Sequence, residues 1–244
     1  MAVESHSRDR TVQSMFDRIA GRYDLLNRII SFRTDRRWRH QVIETVLTQA
    51  GARVLDIGTG TGDLVFGAAK AAKGNGQFIG LDFSLEMLRL ARAKRGKFLQ
   101  GGSTVFVLGS AMIAPFRSNI FDGAMSAFVL RNVSDLPLLF AEAHRVLKPG
   151  GKFVSLDMFP LPATWFSTLY SLYFHCLMPR IGALLARDRA AYRYLSDSVR
   201  RFHPPERVAV LIQDAGFEHV TVRKFLNGAV CMHVAVKPIP SKRK

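Results

Sequence analysis

The sequence predicts an α/β fold, a doubly wound, mostly parallel seven-stranded sheet ending in a C-terminal antiparallel hairpin, and three observations predict it. From Arg53 onward short apolar runs alternate with amphipathic stretches, which is how βαβ units look in sequence. A glycine-rich decapeptide joins the first apolar run directly to the first amphipathic stretch. The last two runs, Val220–Phe225 and Ala229–Val236, are separated only by Leu226-Asn227-Gly228, so they read as a hairpin at one edge of the sheet.

The elements follow in order. Met1 to Arg10 is polar, has no apolar core of the kind a secretory signal needs, and is expected to be a flexible tail. The chain before Arg53 looks helical. Strands are expected at Arg53–Ile57, Gln77–Leu81, Thr104–Leu108, Gly123–Ala127 and Lys152–Leu156, with helices at Asp63–Lys73, Leu85–Arg95 and Leu136–Leu147 between them. Ser84 and Ser134 stand where helix N-caps belong, and Lys148-Pro149-Gly150-Gly151 is a strong helix stop. Phe166–Gly216 reads as two or three further helices inserted before the hairpin, which together with the N-terminal helices could form a lid. Met158 to Pro179 carries no charged residue, but Pro160, Pro162 and Pro179 interrupt it. Its uninterrupted part, Ala163–Met178, is shorter than the roughly 20 residues a membrane span requires. It is expected to be a buried or capping helix.

Composition narrows the class without naming an activity. The chain has 244 residues, 48% of them hydrophobic, enough for a continuous core. Lys and Arg number 35 against 19 Asp and Glu, a formal charge of +16 that suits a polyanion or an anionic membrane surface. Cys176 and Cys231 are too few for a disulfide framework and have no metal-ligand spacing, so a reducing compartment and no metal site are expected.

The chemistry concentrates in Val54-Leu55-Asp56-Ile57-Gly58-Thr59-Gly60-Thr61-Gly62-Asp63. Three glycines at alternate positions let the backbone turn tightly after a strand and leave the amides of a helix N-terminus open to a ligand. Asp82, at the end of the second predicted strand, is placed to accept hydrogen bonds from the two hydroxyls of a ribose. A dinucleotide fingerprint needs a small residue where this chain has Asp63, and a phosphate-binding Walker loop needs Gly-Lys-Ser/Thr where it has Gly62-Asp63-Leu64. An acidic residue facing the turn repels a pyrophosphate and suits a cation. S-adenosylmethionine, with an ammonium and a sulfonium, fits that requirement.

With Gly109-Ser110-Ala111 and Arg145-Val146-Leu147-Lys148-Pro149-Gly150-Gly151 added, these motifs resemble the class I S-adenosylmethionine-dependent methyltransferases, whose sheet is Rossmann-like. Five further segments are similar to the C-methyltransferases of quinone biosynthesis that act on demethylmenaquinol and 2-polyprenyl-methoxybenzoquinol. They are the run from Phe16 to Asn27, Phe128-Val129-Leu130-Arg131-Asn132-Val133, Met178-Pro179-Arg180-Ile181-Gly182, Tyr192-Arg193-Tyr194-Leu195 and Asp214-Ala215-Gly216-Phe217. The resemblance implies one methyltransferase domain over 11–240: helices over 11–50, a cofactor-binding core over 51–158, a helical cap over 159–216 and the edge hairpin over 217–237. A basic tail, 238–244, completes the division. It also implies that S-adenosylmethionine is held by Gly58, Gly60 and Thr61 in the turn, Asp82 at the ribose, Ser110 and Ala111 beside the adenine, and Tyr23 folded over the cofactor. Ser110 stands where relatives carry Asn or Asp, and Ala127 where they often carry Ser.

Methyl transfer to a ring carbon needs an electron-rich acceptor, which a reduced quinol supplies once a phenolic proton is removed. The resemblance nominates Arg131 and Asn132 beside that acceptor. Arginine is a poor base, so Arg131 is expected to stabilise the developing phenolate and Asn132 to orient it. His175 and His203 are alternative bases, Asp157 reads as a structural carboxylate, and Trp165, Phe166, Tyr170, Tyr173 and Phe174 either line a channel for a prenyl tail or form plain core. One arginine cluster (Arg28, Arg33, Arg36, Arg37, Arg39), a second (Arg180, Arg187, Arg189, Arg193, Arg200, Arg201, Arg207) and Lys242-Arg243-Lys244 suggest peripheral docking on an anionic membrane from the cytoplasmic side, or simply a solubilising surface. A homodimer is compatible with the sequence. Alternatives are a methyltransferase of another small molecule, a nucleic-acid methyltransferase, and a non-catalytic cofactor-binding subunit. Phe128 to Asn132 lacks the Asn/Asp-Pro-Pro-aromatic motif of amino-group methylases, and no Pro-Cys nucleophile is present, so nucleic acid is disfavoured.

Overall fold

The computed structural model describes residues 11–21, 34–98, 103–161 and 189–240. Helix α1 (11–21) and helix α2 (Asp35–Val46) precede the sheet. Then come β1 (Arg53–Ile57), α3 (Asp63–Ala71), β2 (Gln77–Asp82), α4 (Leu85–Phe98), β3 (Ser103–Leu108) and β4 (Phe121–Ala127). A 3-10 turn, Leu130–Asn132, leads to α5 (Leu136–Val146) and β5 (Leu147–Met158). Helices α6 (Arg189–Arg200) and α7 (Pro205–Asp214) are followed by β6 (Glu218–Phe225) and β7 (Val230–Val236).

The seven strands form one sheet in the order β3-β2-β1-β4-β5-β7-β6, parallel from β3 to β5 and antiparallel where β7 joins β5 and β6. Strand side chains alternate between faces, so each strand feeds two cores. Val54, Phe78, Met125 and Val154 point to the face covered by Trp38 and Val42 of α2, Leu64 and Phe66 of α3, and Leu88 of α4. Leu55, Leu81, Ala124 and Phe153 point to the other, covered by Leu139 and Phe140 of α5 and Val208 and Ile212 of α7. Burial on both faces explains why these strands are apolar throughout rather than alternating.

Two local expectations are corrected. Asp135, not Ser134, caps α5: its carboxylate accepts from the Leu138 N–H at 2.9 Å, while the Ser134 hydroxyl points to the sulfur of Met112 at 3.4 Å. The helix stop at Lys148-Pro149-Gly150-Gly151 lies inside β5 rather than in a loop. Leu147 pairs with Phe121, the register shifts, and pairing resumes at Lys152 opposite Gly123. Gly150 and Gly151 bridge the irregularity through bonds to and from Lys237 at 2.8 and 2.9 Å. Ser84 caps α4 as expected, accepting from the Met87 N–H at 3.2 Å.

The order of strands places the reversal of winding between β1 and β4, where open α/β sheets carry ligands at the carboxyl ends of the strands. Gly58, the first residue after β1, has φ +71°, and a Cβ there would stand 2.4 Å from Cγ2 of Val129 in the loop after β4. Gly58→Ala therefore combines left-handed strain with overpacking and should destabilise the fold by about 2–4 kcal/mol in thermal melts. Val129→Ala in the same chain should recover the overpacking share and leave the backbone strain.

Candidate functional site

The carboxyl ends of β1 to β4 surround the site. The turn after β1 is pinned by Gly58 and Thr59, whose N–H groups both donate to the Leu81 carbonyl, at 2.8 and 3.0 Å. Gly62, at φ +87°, starts α3 immediately. Phe128, just past β4, holds φ +63°, a strained value for an aromatic residue, and its N–H donates to the Leu156 carbonyl at 2.7 Å.

A cavity of about 410 Å³ opens at this edge, within the usual range for a small-molecule site. Gly58, Gly60 and Asp82 form its polar end, with Ser110 and Ala111 after β3 and Asn132 after β4 also in its wall. Phe16, Phe83, Met87, Met112, Val133 and Leu138 make the remainder largely apolar. A smaller polar recess lies on the far side of the glycine turn, between Arg39, Asp56, Thr59, Thr61 and Asp63, and shares Gly58 and Gly60 with the cavity. The two together offer an apolar slot for a base, a carboxylate for a ribose, and a charged end.

Two buried carboxylates set the electrostatics. Asp82 accepts from the Gly60 N–H at 2.7 Å and the Ser84 N–H at 2.9 Å; burial still pushes its carboxyl up to about 6, against the pull of those bonds. Asp56 is 1% exposed, and among the described residues neither of its oxygens completes a hydrogen bond, although the Thr59 hydroxyl stands beside it. Burial raises it to about 7, opposed by Thr59 and the charge of Arg39 and aided by the charges of Asp82 and Asp63. A buried carboxylate without a donor is costly unless a cation occupies the recess. The residues present thus fit S-adenosylmethionine: its ammonium would meet an unsatisfied acid, and its ribose would meet Asp82.

The sequence argument gave the cation-facing role to Asp63. In the structure Asp63 is half-exposed and ion-paired with Lys94 at 3.2 Å, so the acid turned inward is Asp56. Asp56 could have been suspected as the one charged residue in an otherwise apolar strand interior. Phe83 and Met87 had no motif to mark them, and Phe16 and Arg39, the first in a family segment and the second in a basic cluster, were given no place at the site.

The expected site residues divide. Gly58, Gly60, Asp82, Ser110, Ala111 and Asn132 meet at the cavity, whereas Thr61 faces the smaller recess, where its hydroxyl accepts from Lys94 Nζ at 2.8 Å. The Ser110 hydroxyl accepts from the Met112 N–H at 3.2 Å. Asn132 donates through Nδ2 to the Phe128 carbonyl at 3.2 Å and keeps Oδ1 without a partner among the described residues. Arg131 does not line the cavity. It is buried, and its Nη1 donates to Asp157 Oδ1 at 2.6 Å, while its N–H donates to Asp157 Oδ2 at 3.3 Å. His203 is exposed and lines neither recess. Tyr23, His175 and the aromatic cluster from Trp165 to Phe174 lie outside the described residues.

A sheet of this order with a glycine turn and these acids at its carboxyl edge defines a class I S-adenosylmethionine-dependent methyltransferase. Solved structures share the fold: a methyltransferase of this cofactor class from Thermotoga maritima superposes with a TM-score of 0.62 at 20% identity, over 93% of this chain and 99% of that one. Phosphoethanolamine N-methyltransferase 2 of Haemonchus contortus, solved with S-adenosyl-L-methionine, gives 0.59 at 19% identity, over 82% of this chain and 52% of that one. The chain belongs to the ubiE/COQ5 methyltransferase family, whose profile matches residues 4–237. Curated relatives include the demethylmenaquinone methyltransferases of Thermus thermophilus, 38% identical over 92% of this chain and all of that protein, and of Geobacillus kaustophilus, 37% identical over 95% and 98%.

The Arg131–Asp157 pair makes a sharp stability test. Arg131→Ala leaves a buried, uncompensated carboxylate and should cost about 3–5 kcal/mol in denaturant unfolding. Arg131→Met combined with Asp157→Leu should cost markedly less than either single change.

Proposed function

We propose that this protein transfers a methyl group from S-adenosylmethionine to a ring carbon of a prenylated demethylnaphthoquinol, the reaction class its relatives' names describe. The observation that carries this reading is likeness at 36–38% identity over 92–98% of the chain to proteins of that one name. A methoxybenzoquinol is the second acceptor to test, because the matching family is named for ubiE and COQ5 together.

Each residue then has a task. The bound cofactor supplies an electrophilic methyl on a sulfonium. Asp82 holds the ribose, Ser110 and Ala111 border the adenine, and the amides of Gly58 and Gly60 with Thr61 line the passage to the amino-acid end. Asp56 takes the ammonium there, and Arg39, in the same recess, faces the carboxylate. Asn132 turns its unpartnered Oδ1 towards the acceptor's hydroxyl and orients it. Arg131, ion-paired with Asp157 and outside the cavity wall, holds the turn that carries Asn132, so that the acceptor is presented for in-line attack.

Among the described residues no helix is long and apolar enough to cross a membrane. A prenylated acceptor resides in lipid, and the exposed Arg36, Arg37, Arg193, Arg200, Arg201 and Arg207 supply the charge for peripheral contact with an anionic leaflet on the cytoplasmic side. Each such residue near the surface is worth about 1 kcal/mol.

Incubation with methyl-labelled S-adenosylmethionine and a panel of demethylated quinols tests the reading directly. Label should enter the reduced naphthoquinol and not the oxidised quinone, and label in neither ring class would refute it. Asp82→Ala should weaken S-adenosylhomocysteine binding by about 10- to 100-fold, the loss expected when a charged acceptor leaves two hydroxyls.

The raised acid of Asp56 adds a pH signature. An ammonium binds the ionised carboxylate, so binding below pH 7 must first expel a proton. Affinity for S-adenosylhomocysteine, by calorimetry, should be highest near pH 8 and fall about tenfold per unit below 7. Asp82, at about 6, should steepen the loss further down. Asp56→Asn should bind more weakly at pH 8 and lose most of the slope between 8 and 6.

A further inference from the structure

Helix α1 stands apart from the alternation of strands and helices, yet three of its side chains grip the loop after β2. Gln13 Nε2 donates to the Phe83 carbonyl at 2.7 Å. Phe16 meets Phe83 edge to face, with ring centroids 6.4 Å apart, and both rings form part of the cavity wall. Asp17 Oδ1 accepts from the Ser84 hydroxyl at 2.5 Å. Ser84 is fully buried: its hydroxyl donates to Asp17 and accepts from the Met87 N–H, while its N–H donates to Asp82 Oδ1. Asp82 Oδ2 in turn accepts from Gly60 in the glycine turn. A continuous chain of hydrogen bonds therefore runs from α1 to the turn after β1.

That chain has a mechanical consequence. A carboxylate carries about four acceptor sites on two oxygens, and a donor on each oxygen fixes the plane of the group. Gly60 fixes one oxygen from the glycine turn. The other is fixed by Ser84, whose amide direction depends on the conformation of residues 83 and 84. Gln13 and Asp17 hold both of those residues, and a hydroxyl-to-carboxylate bond is among the stronger single hydrogen bonds.

We propose that Asp17 is a positioning residue for the methyl donor: through Ser84 it holds Asp82 in the plane that meets the nucleoside, and it seats α1 as the wall over that end of the cavity. This rests on the reading of Asp82 as the ribose-binding carboxylate.

Calorimetry with S-adenosylhomocysteine on the full chain, together with steady-state kinetics, tests it on Asp17→Ala, Asp17→Asn, Ser84→Ala and Asp82→Ala. Asp17→Ala should weaken binding by about three- to tenfold, the range one hydrogen bond commands. It should raise KM for the methyl donor by the same factor while kcat and the quinol KM stay within about twofold. Asp17→Asn keeps an amide oxygen that accepts from Ser84, so it should restore binding. Asp17→Ala combined with Ser84→Ala should be no weaker than the weaker single variant, since both break one chain. Amide exchange over 11–21 should be slowed by the ligand in the wild type and much less so in Asp17→Ala. Wild-type affinity in Asp17→Ala alongside a weakened Asp82→Ala would overturn the positioning role and leave the ribose reading intact. Equal weakening by Asp17→Ala and Asp17→Asn would overturn the hydrogen-bonded relay. Normal binding by Asp82→Ala would remove the ribose reading, and a weakened Asp17→Ala beside it would show α1 acting by another route.

Discussion

Parallel strands covered on both faces by helices leave a polar side chain one way to reach a ligand, from the carboxyl end of its strand. The middle of the sheet is closed by Val54, Phe78, Met125 and Val154 on one side and by Leu55, Leu81, Ala124 and Phe153 on the other. Everything chemical is consequently gathered at the carboxyl ends of β1 to β5 and in the connections that leave them. The reversal of strand order between β1 and β4 then parts two of those connections and makes room for a cofactor. Gly58 marks how little space remains: a methyl group there would run into Val129 from the neighbouring connection.

Three aspartates at that edge show how surroundings divide one residue type into separate tasks. Asp157, at the end of β5, is neutralised by Arg131 and takes a third bond from the Met158 N–H at 2.7 Å, so it fastens the turn carrying Asn132 to the sheet. Asp82 is met by backbone N–H groups alone, which orient it without cancelling its charge. Asp56 has burial and no completed bond among the described residues, and so has the strongest demand for a cation.

Much of this was legible beforehand because it rests on local pattern. The strands and the glycine turn follow from apolar runs and from conformations only glycine adopts cheaply, and Asp82 follows from its distance along the βαβ unit. The misjudged details are those where two local options were nearly equal in energy. Ser134 and Asp135 are both good caps, and Met112, remote in sequence, decides between them by taking the serine hydroxyl. Lys148 to Gly151 does stop a helix, but Lys237, on the far side of the hairpin, supplies the backbone partners that draw those residues into β5.

By itself the sequence determined the order of elements, the α/β class, and the glycine turn with its acid on the next strand, since each depends on residue types at short, fixed spacings. Only the tertiary structure decided which acid is left unsatisfied, that Arg131 turns inward to Asp157 while Asn132 faces the cavity, and that α1 closes over the loop after β2. Those outcomes depend on which groups far apart in the chain come within hydrogen-bond distance in a water-poor interior. Separations of 26 residues between Arg131 and Asp157, or 67 between Asp17 and Ser84, leave no periodic trace in a single sequence.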